Sequence, residues 1–233
     1  VFHWEYPYEL FLKGGWLNPD SPKWFEEYAA NVAKLFSDRV KNFITVNEPQ
    51  CFIGCGRYKA EHAPFVVYPP EEALTAWHNA LKANGLATRA IRKYAKGKVR
   101  VGLTIATEVH LPVSEAEKEF VLREQFGRRG DNFFNNALFT DPAVFGKYPE
   151  NLAEAFGANF TYDPADMQII KCDPDFIGLN IYHGKYVVPD GKGGIRDVTP
   201  EMNTPYTDMR WTGSPESLYY GPKAFSERYR LPI

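Results

Sequence analysis

"RVKNFITVNEPQ", residues 39–50, sets an apolar, β-branched run against an abrupt change to an amide, an acid and a proline. The run itself reads as a strand buried on both faces. The Pro49 ring disfavours a helical backbone at the preceding residue, so Glu48 is expected to be held extended where the strand ends. In α/β barrels that end of a strand is where catalytic groups sit. Neighbours on a regular strand point to opposite faces, so Asn47 and Glu48 can share a pocket only if the strand gives way there to a bulge or turn. Two readings stay open at this point: an acid that holds a turn together, and an acid that moves a proton.

Working outward, "KVRVGLTIA" (98–106) and "DFIGLNIY" (175–182) are runs of the same kind, and Val1 and Phe2 look like the tail of a fourth strand. Helical spacing lies between them. Ser21 can cap a helix with Pro22 at its first position, and Trp24, Tyr28, Val32 and Leu35 then recur up to Phe36. A second helix is expected over Glu71–Tyr94, with Leu74, Trp77, Leu81 and Ile91 facing the core and Gly97 as its stop. "SEAE" (114–117) has capping-box spacing and opens a third, interrupted helix toward Phe139. Weaker helical stretches cover Asp163–Ile170 and a final segment reaching Arg230. Strands alternating with helices imply parallel strands joined by crossovers, an α/β fold. Val188–Ser217, rich in Gly, Pro, Thr and Asp, is expected to be a long loop over the strand ends.

With 233 residues, 44% of them hydrophobic, the chain has material for one sizeable core. Its 27 basic and 29 acidic residues give no electrostatic reason to expect nucleic acid or an anionic membrane as partner. No apolar run approaches the roughly 20 residues of a membrane span, and no signal-like segment is present, so a cytoplasmic protein is expected. Cys51, Cys55 and Cys172 are odd in number and read as buried free thiols. His62, His78 and His110 lack the spacing of a metal site, "GKGG" (191–194) reads as a turn and not a phosphate loop, and no G-x-S-x-G elbow occurs. Neither metal nor cofactor is called for. Chemistry carried by carboxylates remains, with His3, Asn180, Tyr182 and His183 as polar groups at other strand ends.

Taken together, "FHWEYP", "GGWLNP", "RVKNFITVNEP", "HNALKANGLATRAI", "GKYPE", "DFIGLNIY" and "SERYRLPI" make the chain closely resemble glycoside hydrolase family 1, the β-glucosidase type. The resemblance covers essentially the whole chain. It implies a TIM (β/α)8 barrel and retaining hydrolysis of β-linked glucosides or related β-glycosides, with a small glycoside or oligosaccharide as the substrate. Glu48 looks like the general acid/base, and Asn47 like the residue bonding the sugar 2-hydroxyl, a contact that strengthens in the transition state. His3 looks like a partner of another sugar hydroxyl. Asn180 and Tyr182 match the polar pair on the family's sixth strand, where the tyrosine normally touches the nucleophile. Trp4 and Trp211 are expected to flank the sugar and its leaving group.

The chain departs from the family pattern in several places. Gln50 stands where many members have a tryptophan stacked on the leaving group, and Phe65 of "HAPF" where glycine is common. By the resemblance the chain covers strands three to six of the barrel. Residues 1–233 are thus expected to be a single catalytic-domain fragment without the first two and last two strands, its nucleophile lying beyond Ile233. Missing barrel segments or self-association are then needed for a closed fold. Glu5 and Glu108 fall near strand ends but do not match the nucleophile. A catalytically incomplete carbohydrate-binding fragment is the alternative reading, with an inert structural fragment or an endoglycanase of the wider "NEP" group behind it.

Overall fold

The computed structural model describes residues 1–127, 130–199 and 204–233. Its principal sheet is parallel. Strand β1 (Asn42–Asn47) pairs with β2 (Arg100–Ala106), and Phe2 forms a parallel bridge to Val46 on the outer side of β1. The chain breaks from strand geometry at Thr107 and Glu108 and resumes as β3 (Val109–Pro112). Strand β4 (Ile177–Asn180) pairs with the far side of β2, and β5 (Gly184–Pro189) pairs parallel with β3. Strand β6 (Ile195–Asp197) folds back antiparallel on β5, with Gly191 and Gly193 at positive φ in the connecting turn. The "GKGG" turn is therefore a hairpin, and part of the expected loop is strand. The rest of that loop includes residues 200–203, which lie outside the described residues.

Eight helices accompany the strands among the described residues: α1 (Tyr8–Leu12), α2 (Ser21–Phe36), α3 (Pro70–Tyr94), α4 (Lys118–Arg123), α5 (Ala137–Phe145), α6 (Leu152–Ala155), α7 (Asp166–Ile170) and α8 (Ser217–Tyr229). The central crossover is β1–α3–β2. Leu74, Trp77, Leu81 and Ile91 are all buried, as the spacing predicted, and join Phe43, Val101, Leu103 and Ile105 of the sheet in one core. Polar ties fix the helix in register. Thr45 Oγ1 donates to Asn84 Oδ1 at 2.5 Å, and Asn79 Nδ2 donates to the Trp16 carbonyl at 2.8 Å. Each satisfies a group whose burial would otherwise be costly.

Two helical expectations need correction. Helix α2 has its expected bounds, but its buried face carries Phe25, Ala29, Ala30 and Ala33, while Tyr28 is 53% exposed and Leu35 also faces outward. The small side chains let α2 approach α3 closely, and the large ones were read on the wrong stripe because size outweighed position. Asp20 is the residue before its first turn, not Ser21. The third helix is shorter than expected. Ser114 and Glu117 do form a capping box, but helix continues only through α4 and a 3-10 turn to Phe126, and resumes at α5; residues 128–129 of that stretch lie outside the described residues.

The sheet fits closely where β2 meets the start of β4. A Cβ added to Gly102 would stand 2.6 Å from both the ring and the carbonyl oxygen of Phe176. Gly102→Ala is expected to lower stability by about 1–3 kcal/mol, the usual cost of overpacking. Denaturant unfolding checks this, and an unchanged midpoint would show slack between the strands.

Candidate active site

The site lies where β1, β2 and β4 end. The β1–β2 register slips between Ile44 and Asn47, and Glu48 then takes φ = +49°. Glu48 is thus not extended, as the following proline suggested, but left-handed. Its N–H still donates to the Thr104 carbonyl at 2.9 Å, and its own carbonyl accepts from Cys51 N–H at 2.9 Å, starting the π-helical segment Gln50–Tyr58. A non-glycine residue held there carries backbone strain, which the hydrogen bonds on either side maintain. The slip and the turn together bring Asn47 and Glu48 to one side.

Asn180, at the end of β4, joins them. Its Nδ2 donates to Glu48 Oε1 at 2.6 Å and to Asn47 Oδ1 at 3.1 Å. Asn47 Nδ2 lies 3.4 Å from His3 Nε2, and the Trp4 indole donates to the Asn47 carbonyl at 3.0 Å. Tyr182 Oη donates to Glu48 Oε1 at 3.3 Å. Burial, followed by the nearby Glu48 carboxylate, raises the Tyr182 pKa. Tyr182, which the resemblance sets beside the nucleophile, also reaches the acid/base candidate. Glu48 itself is only 3% exposed.

On the other side of Glu48 opens a cleft of about 860 Å³, lined by Glu48, Tyr182, Trp4 and Trp211 among others. Trp4 stacks on His62 with ring centres 5.7 Å apart. Trp211 lies 5.0 Å from Tyr182 and stacks on His183 at 5.6 Å. The structure therefore gathers all seven candidates: His3, Asn47, Asn180 and Tyr182 around Glu48, and the two tryptophans on the cleft walls.

One contact of Glu48 escaped the sequence reading. Cys51 Sγ donates to Glu48 Oε2 at 3.4 Å, a contact that the three-residue spacing after Glu48 could have suggested once a helical turn was expected there. Glu108 also lines the cleft, ion-paired with Lys185 and accepting from Asn132 Nδ2 at 3.2 Å. Gln50, which stands where many family members have a tryptophan, is fully buried, exchanges hydrogen bonds of 3.2 and 3.3 Å with the backbone of Ala106, and is not among the residues lining the cleft. Phe65 has φ = +59°, the region where glycine is least strained, which accounts for the glycine expected there.

Known proteins share this framework. The family profile described as Glycosyl hydrolase family 1 matches residues 1–233. A 1,4-beta-D-glucan glucohydrolase of Thermotoga neapolitana is 34% identical over 98% of the chain and 53% of its own length. Beta-glucosidase A of Thermotoga maritima is 34% identical over the whole chain and 51% of its own. The solved Thermotoga maritima beta-glucosidase in complex with glucoimidazole superposes with a TM-score of 0.83 at 33% identity, over 100% of this chain and 51% of that one. The chain spans about half the length of the relatives it matches. Such neighbours are (β/α)8 barrels, and the open parallel sheet seen here is part of one. With its strand-end acid, its amide network and a profile match over its full span, the chain belongs to glycosyl hydrolase family 1.

Proposed function

We propose that this protein contributes the acid/base half of a retaining β-glycosidase acting on β-linked glucosides or related glycosides, oligosaccharides included. The observation that carries the reading is the Asn180 amide held between Glu48 and Asn47. It sets a carboxyl oxygen for proton transfer beside an amide suited to a sugar hydroxyl. Glu48 Oε1 accepts from two donors, Asn180 and Tyr182, and Oε2 only from the weak Cys51 thiol, so Oε2 is the oxygen offered to the leaving group. In the first step Glu48 protonates the departing oxygen, and in the second it takes a proton from water. His3 and Asn47 hold sugar hydroxyls, while Trp4 and Trp211 supply apolar faces for the sugar and its leaving group.

Retention also needs a nucleophilic carboxylate about 5–5.5 Å from the acid. Among the described residues, the other carboxylates lining this cleft are already engaged: Glu108 by Lys185 and Asn132, and Asp131 by the Tyr58 hydroxyl at 2.7 Å. Sequence outside residues 1–233, or a second chain, provides the nucleophile and completes the sheet. The same observation favours a second reading, a sugar-binding fragment without turnover. Three free thiols fit a reducing, cytoplasmic setting, and the role is in carbohydrate metabolism.

Hydrolysis of a p-nitrophenyl β-glucoside tests the reading. In the protein completed by the segments that supply the nucleophile, Glu48→Gln is expected to lower kcat by about 10²–10⁴-fold, the usual worth of a general acid. An unchanged kcat would remove Glu48 from the mechanism. Glucoimidazole binding, followed by calorimetry, separates the two readings, since binding without turnover marks the sugar-binding fragment. Asn180→Ala releases both carboxyl and amide and is expected to weaken glucoimidazole by roughly 10–100-fold, the scale of a hydrogen bond to a charged group.

A further inference from the structure

A second cavity, of about 750 Å³, adjoins the cleft, and Trp4, Cys51 and His62 line both. Much of its remaining wall is aromatic. Tyr8 and Phe11 of α1, stacked with ring centres 6.2 Å apart, supply one part, and Phe65 supplies another. Tyr8 and Phe65 are each 66% exposed, so neither ring contributes much to the core. Phe65 also holds a backbone conformation that disfavours a side chain, with φ = +59°. The segment that carries it is pinned to the π-helical segment. Glu61 N–H and His62 N–H both donate to the Cys55 carbonyl, at 2.8 and 3.2 Å, and Tyr68 N–H donates to the Arg57 carbonyl at 2.8 Å. The fit beneath is close, since a Cβ on Gly56 would stand 2.7 Å from the Ala63 carbonyl oxygen. Strain at an exposed aromatic is not offset by burial, which points to a partner that the ring meets from solvent. The exposed charges on this wall are carboxylates, Glu5 and Glu61, whereas Arg57 is buried and donates to the Phe52 carbonyl at 2.5 Å.

We propose that this groove is an accessory sugar subsite, taking a distal ring of a β-linked oligosaccharide whose terminal sugar lies beside Glu48. The inference rests on the glycosidase reading of the cleft and extends it to substrate length. Aromatic faces suit the apolar C–H face of a pyranose ring. Carboxylates accept from its hydroxyls and repel an anion, so a neutral sugar is favoured over a charged one. The stacked Trp4 and His62 belong to both cavities, so a single extended ligand can occupy the two together.

Calorimetry with β-linked glucose di-, tri- and tetrasaccharides, joined through sulfur so that turnover does not intrude, tests the subsite. Affinity is expected to rise by about 3–10-fold once the ligand exceeds two sugars, the scale of one ring contact. The gain is expected to vanish in Phe65→Gly, a residue that adopts φ = +59° without strain, and to persist in Phe65→Tyr. Glucoimidazole, a single-sugar mimic, is expected to bind the unsubstituted protein and Phe65→Gly alike. Glucoimidazole binding with no gain from a third or fourth sugar overturns the subsite and leaves the glycosidase reading in place. A gain that survives Phe65→Gly, or an equal weakening of glucoimidazole by that change, overturns it too. Failure of the unsubstituted protein to bind glucoimidazole overturns both. Should Phe65→Gly not fold, Tyr8→Ala on the separate helix α1 is expected to lose the same gain, and its retention there overturns the subsite.

Discussion

A parallel strand turns successive side chains to opposite faces, and the last two residues of β1 escape that rule. The slipped register before Asn47 and the left-handed backbone at Glu48 rotate an amide and an acid toward the same space. Everything else at the site is arranged around that departure. The Glu48 N–H still reaches β2, its carbonyl starts the π-helical segment, and Asn180 closes the arrangement from β4. The strain is local, and the hydrogen bonds that hold it come from three separate parts of the chain.

The sheet tolerates this because α3 holds it firmly. Leucine, tryptophan and isoleucine side chains cover β1 and β2, while Asn79 and Asn84 tie the same helix to buried polar partners. Apolar contact supplies most of the stability, and the amides fix which residues lie opposite one another. Alanines on α2 allow a second helix to pack behind the first. The strand ends are left free for chemistry because the core lies below them.

Much of this was legible in sequence. Period and composition located β1, β2, β4 and α3, because long buried elements leave strong apolar patterns. The family motifs then identified Glu48, Asn47, Asn180 and Tyr182, all of which meet in space. What escaped depends on geometry that sequence spacing does not encode. Pro49 suggested an extended Glu48, but the pull of Thr104 and Cys51 on its backbone outweighed that preference. The burial of Gln50 against the β2 backbone likewise leaves no mark in its spacing. The partnership of Cys51 with Glu48 needed the helical turn to be known first, and the buried stripe of α2 was hidden by large residues on its outer face.

Glu48 meets Cys51 within one turn, but meets Asn180 only across 132 positions of chain. Contacts of such separation are the slowest to form, since the ends of a long loop must be brought together first. The βαβ unit of β1, α3 and β2 can assemble early, yet the carboxyl stays unoriented until β4 docks beside β2. The orientation of the Glu48 carboxyl therefore depends on the docking of β4, and loosening of β4 would release it. A ligand touching both Asn47 and Asn180 would join the two ends of that long loop and so stabilise the folded state.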